Sequence, residues 1–272
     1  MPRLLALGIG SPGGWPRGAS RAICLSLLLL PGYFTLASYG QVTSNQKSAG
    51  VAPVKRRSLS ELLDTKDPAW PLVLDWVHAA KNPVEVLAPD HKVRDRVLVE
   101  LQVTTHSTLG AVAYETGGIL VDKGWLRILG SGSGKLPRTI TDWNFGRTYS
   151  RSGEQPKYLL AGDDVVGGFF AVNGGALGPD SGNVYYLAPD TLKWESLGMG
   201  YSDFLHWCLA GDLAKFYERQ RWKGWEADVS QVGGSKAFSF YPPLYAAGPE
   251  ISKRSRRAIS VSEVFGLASG AQ

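Results

Sequence analysis

The chain has 272 residues, is 44% hydrophobic, carries a formal charge of +5 and contains two cysteines. That apolar content is ample for a core in one large domain or two small ones. The charge lies on the flanks: residues 1–40 hold +3, 41–57 hold +4 and 253–272 hold +3, which leaves −5 for residues 58–252. A mildly acidic folded part argues against nucleic-acid binding, which draws on basic residues of the folded surface.

In chain order, Arg17 and Arg21 precede an apolar run, Ala22 to Leu30, that Pro31–Gly32 interrupts. Ser38 and Gly40 are small residues placed for cleavage after Gly40, so residues 1–40 read as a secretory signal peptide and the protein as periplasmic or secreted. The run is shorter than the roughly 20 residues of a spanning helix, so no permanent membrane span is expected after cleavage. Cys24 lies inside this segment, and the processed chain would keep Cys208 alone, without an intramolecular disulfide. Residues 41–57 (QVTSNQKSAGVAPVKRR) are polar, small and basic, and read as a flexible linker.

Structure is expected from Ser58, which stands at capping-box spacing from Glu61. Asp67–Pro68 predicts the opening of a second helix carrying Trp70, Val73, Leu74 and Val77, ended by Lys81–Asn82–Pro83. A short extended run, Val84 to Leu87, precedes a charged helix from His91 to Leu101 capped by Asp90. Ser107 to Thr116 has helical period, and Gly117–Gly118 is expected to end it in a left-handed cap. Ile119–Val121 and Trp125–Leu129 predict a hairpin around Asp122–Lys123–Gly124. The Trp143–Asn144 region has no assignable pattern. Two more hairpins follow, Tyr158–Ala161 with Val165–Val172 and Val184–Leu187 with Lys193–Leu197. Ser202 is expected to cap a helix burying Phe204, Leu205, Cys208 and Leu209, with a restart at Asp212 and a further helix over Trp222–Val229. Ala237 to Tyr245 reads as irregular, and residues 251–272 as a basic disordered tail. The expected whole is one α+β domain over residues 58–250: an antiparallel sheet with N-terminal helices and a C-terminal helical segment.

No motif supplies a reaction. GSGSGK (Gly130 to Lys135) lacks the first Gly and the Ser/Thr of a phosphate loop, having Leu129 and Leu136 there. Asp163–Asp164 falls where a hairpin turn is expected, and neighbours on a strand would point to opposite faces, so both read as turn formers. His78, His91, His106 and His206 have no metal-ligand spacing, and no G-x-S-x-G elbow occurs. Cys208 reads as a small hydrophobe. No cofactor, metal or catalytic residue is assigned.

Several strings resemble the bacterial family called domain of unknown function 2625. They are DPAWPLV (67–73), ETGGILVDKGWLRILGSG (115–132), VVGGFFAVNGGALG (165–178), VYYLAPDTLKWESL (184–197), GYSDFLHW (200–207) and AFSFYPPL (237–244). More distantly, the order of parts resembles the SUKH superfamily of bacterial immunity and interaction domains. That resemblance implies a helix ending at Gly117–Gly118, an antiparallel sheet, and a helix carrying Tyr201, Ser202, Phe204 and Leu205. An export signal departs from members that neutralise nucleases in the cytoplasm.

The expected function is a non-catalytic protein-binding module, exported, with another protein as partner and Trp125, Arg127, Trp143, Tyr186 and Trp194 on an exposed sheet face. The alternative is a small-ligand binder or hydrolase-type enzyme with a pocket near the Gly130–Trp143 loop. Arg127, Asp142, Asp163 and Asp164 would then be its polar groups.

Overall fold

A seven-stranded antiparallel meander, in the spatial order β1-β2-β3-β4-β5-β6-β7, organises the computed structural model, which describes residues 56–151 and 153–270. The expected signal peptide, most of the expected linker and Cys24 lie outside the described residues. The strands are β1 (Val84–Leu87), β2 (Gly118–Val121), β3 (Leu126–Leu129), β4 (Tyr158–Asp164), β5 (Phe169–Asn173), β6 (Asn183–Leu187) and β7 (Trp194–Gly200).

Helices α1 (Leu59–Leu62) and α2 (Trp70–His78) precede β1. The Glu61 carboxylate accepts from the Ser58 N–H at 2.7 Å, satisfying a donor that the first turn leaves free. The second helix begins at Trp70, two residues past the expected Pro68, and the proline in its first turn is Pro71. Helix α3 (Arg94–Leu101) also begins later than expected. Asp90 closes a turn over residues 91–93 instead, its Oδ1 accepting from the Lys92 N–H at 2.9 Å. Helix α4 (Thr108–Glu115) is capped by Ser107, whose Oγ accepts from the Gly110 N–H at 3.0 Å. The Gly117–Gly118 step is not a left-handed cap. Thr116 closes the helix in an extended conformation, and Gly118 opens β2 with φ +132°. A Cβ on Gly117 would lie 2.5 Å from the Ala88 carbonyl, so close packing explains that glycine. The β2–β3 turn is as expected, with Asp122, Lys123 and Gly124 all at positive φ.

The unassigned region forms a short helix, α5 (Ile140–Asn144), capped by Thr139 Oγ1 accepting from the Asp142 N–H at 2.9 Å. After β7 come α6 (Tyr201–Ala210), α7 (Leu213–Phe216) and α8 (Trp225–Ser230). The buried face of α6 includes Phe204, Leu205, Cys208 and Leu209, as its spacing predicts, and burial pushes the Cys208 thiol well up.

The C-terminal expectations need correction. Residues 237–245 are not irregular: β8 (Lys236–Tyr241) pairs antiparallel with β9 (Ser255–Ser260), leaving only the stretch beyond Tyr241 outside the strand. Nor do the residues after 250 form a disordered tail. A short 3₁₀ turn (Ile251–Lys253), β9 and helix α9 (Val261–Ser269) carry the chain back over the core, burying Val261, Phe265 and Ala268. The folded region therefore includes the last basic segment, and residues 58–272 together hold −2 once the seven basic residues and no acids of 1–57 are set aside.

Both sheet faces are covered around β3–β6. On one face Phe169 meets Trp143 of α5 (6.5 Å between ring centres) and Phe265 of α9 (5.0 Å). On the other, Phe170 stacks on Tyr186 and meets Phe204 of α6, while Tyr186 meets Phe216 of α7. A sheet buried on both faces favours continuous apolar strands, as FFAV of β5 supplies, and the exception in LRIL of β3 is Arg127, whose charge is paired with Asp163. The result is an α+β fold with a mostly antiparallel sheet.

Candidate functional site

The two acids at the end of β4 point to opposite faces, as strand geometry requires, yet neither sits in a solvated turn. Asp163 is fully buried opposite Arg127 of β3 in the strand register. Its Oδ1 accepts from Arg127 Nε at 2.6 Å and lies 2.5 Å from Nη2. Arg127 also donates to the carbonyls of Lys236 (2.6 Å) and Asp164 (3.0 Å), tying β8 to the main sheet. Arg138 Nη1 lies 2.8 Å from Asp163 Oδ2, in ion-pair contact without hydrogen-bond alignment. Burial lowers the Arg127 pKa, and the Asp163 charge opposes that shift.

On the other face Asp164 makes the turn. Its Oδ1 accepts from the N–H groups of Val166 (3.0 Å) and Gly168 (2.8 Å), and its Oδ2 accepts from the hydroxyls of Tyr186 (2.8 Å) and Tyr217 (3.2 Å). Burial nevertheless raises the Asp164 pKa, and it pushes both tyrosines well up. The expectation of turn formers therefore holds for Asp164 and is corrected for Asp163. Asp164 shapes the turn, but as a buried hub, and Asp163 is a strand residue in an ion pair.

The aromatic set expected on an exposed face is mostly interior, because helices cover both sides of the sheet. Trp125 is buried among Tyr217, Trp222 and Trp225. Arg127, Trp143 and Tyr186 are buried as well, and Trp194 is half-buried beside Tyr158. The sequence signal for this was the run FFAV of β5, apolar on both faces where alternation would mark one wet face, while Arg127 in β3 and Asp163–Asp164 in β4 masked it.

A groove of about 960 Å³ does open at the Gly130–Trp143 loop. Its walls are the end of β1 through Asp90, residues 131–139, the α5 side chains Asp142 and Trp143 with Arg147 beyond them, and Ser235 with Ser260–Ser262 at the start of α9. Of the polar groups expected there, Asp142 lines it, exposed and bidentate to Arg96 at 3.0 and 3.1 Å, an interaction that holds its carboxyl below the usual range. Arg127, Asp163 and Asp164 do not line it. They are sealed within the sheet and its covering layers.

Arg138 and Arg147, which sequence reading did not single out, both lie over the Trp143 ring, at 4.7 and 4.0 Å from its centre. Arg147 lies beyond the end of α5, after an extended Phe145 and a Gly146 at positive φ, and its guanidinium returns to donate to the Trp143 carbonyl. Arg138 reaches the ring only because its loop folds back, held by its guanidinium on the Gly234 carbonyl at 2.8 Å. Among the described residues, no group of three or more His, Cys, Asp or Glu side chains is placed to hold a metal ion. No described helix is long and apolar enough to cross a membrane.

Residues 59–264 match the family described as "Protein of unknown function DUF2625". The chain belongs to this family. An "Uncharacterized protein" of Haemophilus influenzae is 48% identical over 188 residues, covering 69% of this chain and 82% of the relative. The "Putative uncharacterized protein YbfG" of Escherichia coli is 44% identical over 214 residues, 77% of this chain and 94% of the relative. No solved structure matches the chain.

Proposed function

We propose that this member of the family is an exported, non-catalytic binding module that holds a protein partner in the groove beside the 131–139 loop. The observation that carries the reading is the contrast between two polar sets. The acids and base expected as polar groups of a reactive pocket, Arg127, Asp163 and Asp164, are buried and engaged with one another. The groove instead offers an exposed rim, Glu85, Gly134, Lys135 and Ser262, around the partly buried guanidiniums of Arg138 and Arg147, which cover the buried Trp143 ring. Groove, cations and polar rim are the ingredients of a recognition surface. Export is supported by Arg17, Arg21 and the apolar run Ala22 to Leu30 ahead of Ser38 and Gly40.

Gly134 is the position from which to test the groove. A Cβ there meets nothing within 4 Å, so Gly134→Trp fills the opening without disturbing the fold. Capture from envelope extracts, with the bound protein identified by mass spectrometry, is expected to yield one partner with the natural protein and at least tenfold less with the variant. Equal recovery on both would place the interface elsewhere and defeat the groove assignment.

A further inference from the structure

The groove walls carry four basic side chains, and three of them have a carboxylate within ion-pair distance, although the one that Arg138 meets is shared with Arg127. Lys135 Nζ lies 2.5 Å from Glu85 Oε1. Arg96 is bidentate to Asp142, and Arg138 meets Asp163 at 2.8 Å. Arg147 differs. It donates to the Trp143 carbonyl at 2.9 Å and to Ser262 Oγ at 2.7 Å, and among the described residues no carboxylate stands within ion-pair distance of it. A guanidinium has five N–H donors, so these two bonds leave it with capacity to spare. Its charged neighbour is another cation, Arg138, and burial together with that neighbour holds its pKa below the usual guanidinium range. A half-buried cation placed beside a second cation and over an aromatic ring, with no anion of its own, is incomplete until one arrives.

We infer that the groove seats an acidic segment of a polypeptide, with one carboxylate on Arg147, an assignment that rests on the binding role proposed above. The shape favours a chain over a small molecule. Small ligands are taken into sites that bury roughly 70–90% of their surface. Here the rim residues Glu85, Asp90, Lys135, Ser260 and Ser262 are exposed, and the opening runs from β1 to the start of α9. Asp90 lines the same groove and has no basic partner within ion-pair distance among the described residues. It opposes a run of consecutive acids, so the fitting segment carries separated carboxylates. A planar guanidinium takes such a group through two parallel bonds, which a lysine does not reproduce.

The experiment is calorimetric titration of the full chain with a glycine-spaced glutamate peptide, its glutamine counterpart, inorganic phosphate and citrate. The glutamate peptide is expected to bind at least tenfold more tightly than the glutamine peptide, and to weaken with added salt. Arg147→Gln is expected to lose at least tenfold in affinity for the glutamate peptide, with Arg147→Lys falling between. Gly134→Glu, at a site with room for a side chain, should weaken binding by repulsion where Gly134→Gln does not. That pair decides the matter if thermal melting shows that Arg147→Gln no longer folds. Undiminished binding to both Arg147→Gln and Gly134→Glu overturns the inference, as does binding of phosphate or citrate without binding of the peptide. Should the captured partner depend on Gly134→Trp and ignore Arg147→Gln and Gly134→Glu, the binding role stands and the acidic ligand falls.

Discussion

Asp164 shows how one side chain can be fully hydrogen-bonded and still resist ionisation. Four donors converge on its two oxygens. Burial is the largest influence on its pKa and raises it, outweighing the opposing bonds from Gly168 and Tyr186. The folded chain therefore binds this proton more tightly than the unfolded chain, whose aspartate titrates near about 3.9. Stability contributed by the protonated form is present below that value and is lost as pH rises through the raised one. Asp142 and Asp228, both lowered by bonds from arginines, act with the opposite sign at lower pH. Asp164→Asn keeps an acceptor for the turn amides and a polar group for the tyrosines while removing the titration. Urea unfolding over a pH series is expected to show wild-type stability declining through this window more steeply than that of Asp164→Asn. Parallel curves would mean that Asp164 titrates alike in both states. Of the polar network around it, the sequence made only the opposite facing of Asp163 and Asp164 legible. Their distant partners come from two other strands and a helix end, at separations that no local pattern encodes.

At the scale of elements, α9 is the least expected part of the fold. Its basic approach, KRSRR, has the composition of a solvated terminus, yet β9 alternates so that Arg256 reaches Asp228 at 2.8 Å and lies over Trp222. The helix then lays Phe265 on Phe169 and Trp143, closing one face of the sheet. Truncating a buried aromatic of this kind costs about 3–5 kcal/mol, from lost transfer energy and the cavity left behind. Phe265→Ala is thus expected to lower the unfolding free energy by about 3 kcal/mol in urea titrations. A loss under about 1 kcal/mol would mean that α9 only rests on the sheet. Elements with local grammar were read closely: the Ser107 cap, the Asp122–Gly124 turn and the buried face of α6. Those that depend on a distant partner were not. β8 reads as irregular because its aromatic run ends at Pro242–Pro243, and only pairing with β9 makes it a strand.

For the molecule as a whole, charge is divided by position along the chain. Residues 1–57 carry seven basic residues and no acid, against −2 for the remainder. If residues 1–40 are removed on export, the mature chain begins at Gln41 and loses three of those charges. N-terminal sequencing of the protein isolated from its native envelope is expected to start there. Recovery of a soluble cytoplasmic protein that keeps the residues before Gly40 would defeat the export reading.

The sequence by itself determined the fold class, the family and most of the hairpins, because period, caps and turn glycines act over a few residues. Only the tertiary structure decided which polar residues face water. Trp125, Arg127, Trp143 and Tyr186 look like a binding face in one dimension and are interior in three, since α5 and α9 close one side of the sheet and α6 and α7 the other. Burial is a property of what packs from elsewhere in the chain. For that reason the groove, assembled from β1, the 131–139 loop, α5 and the start of α9, becomes visible only once those distant segments meet.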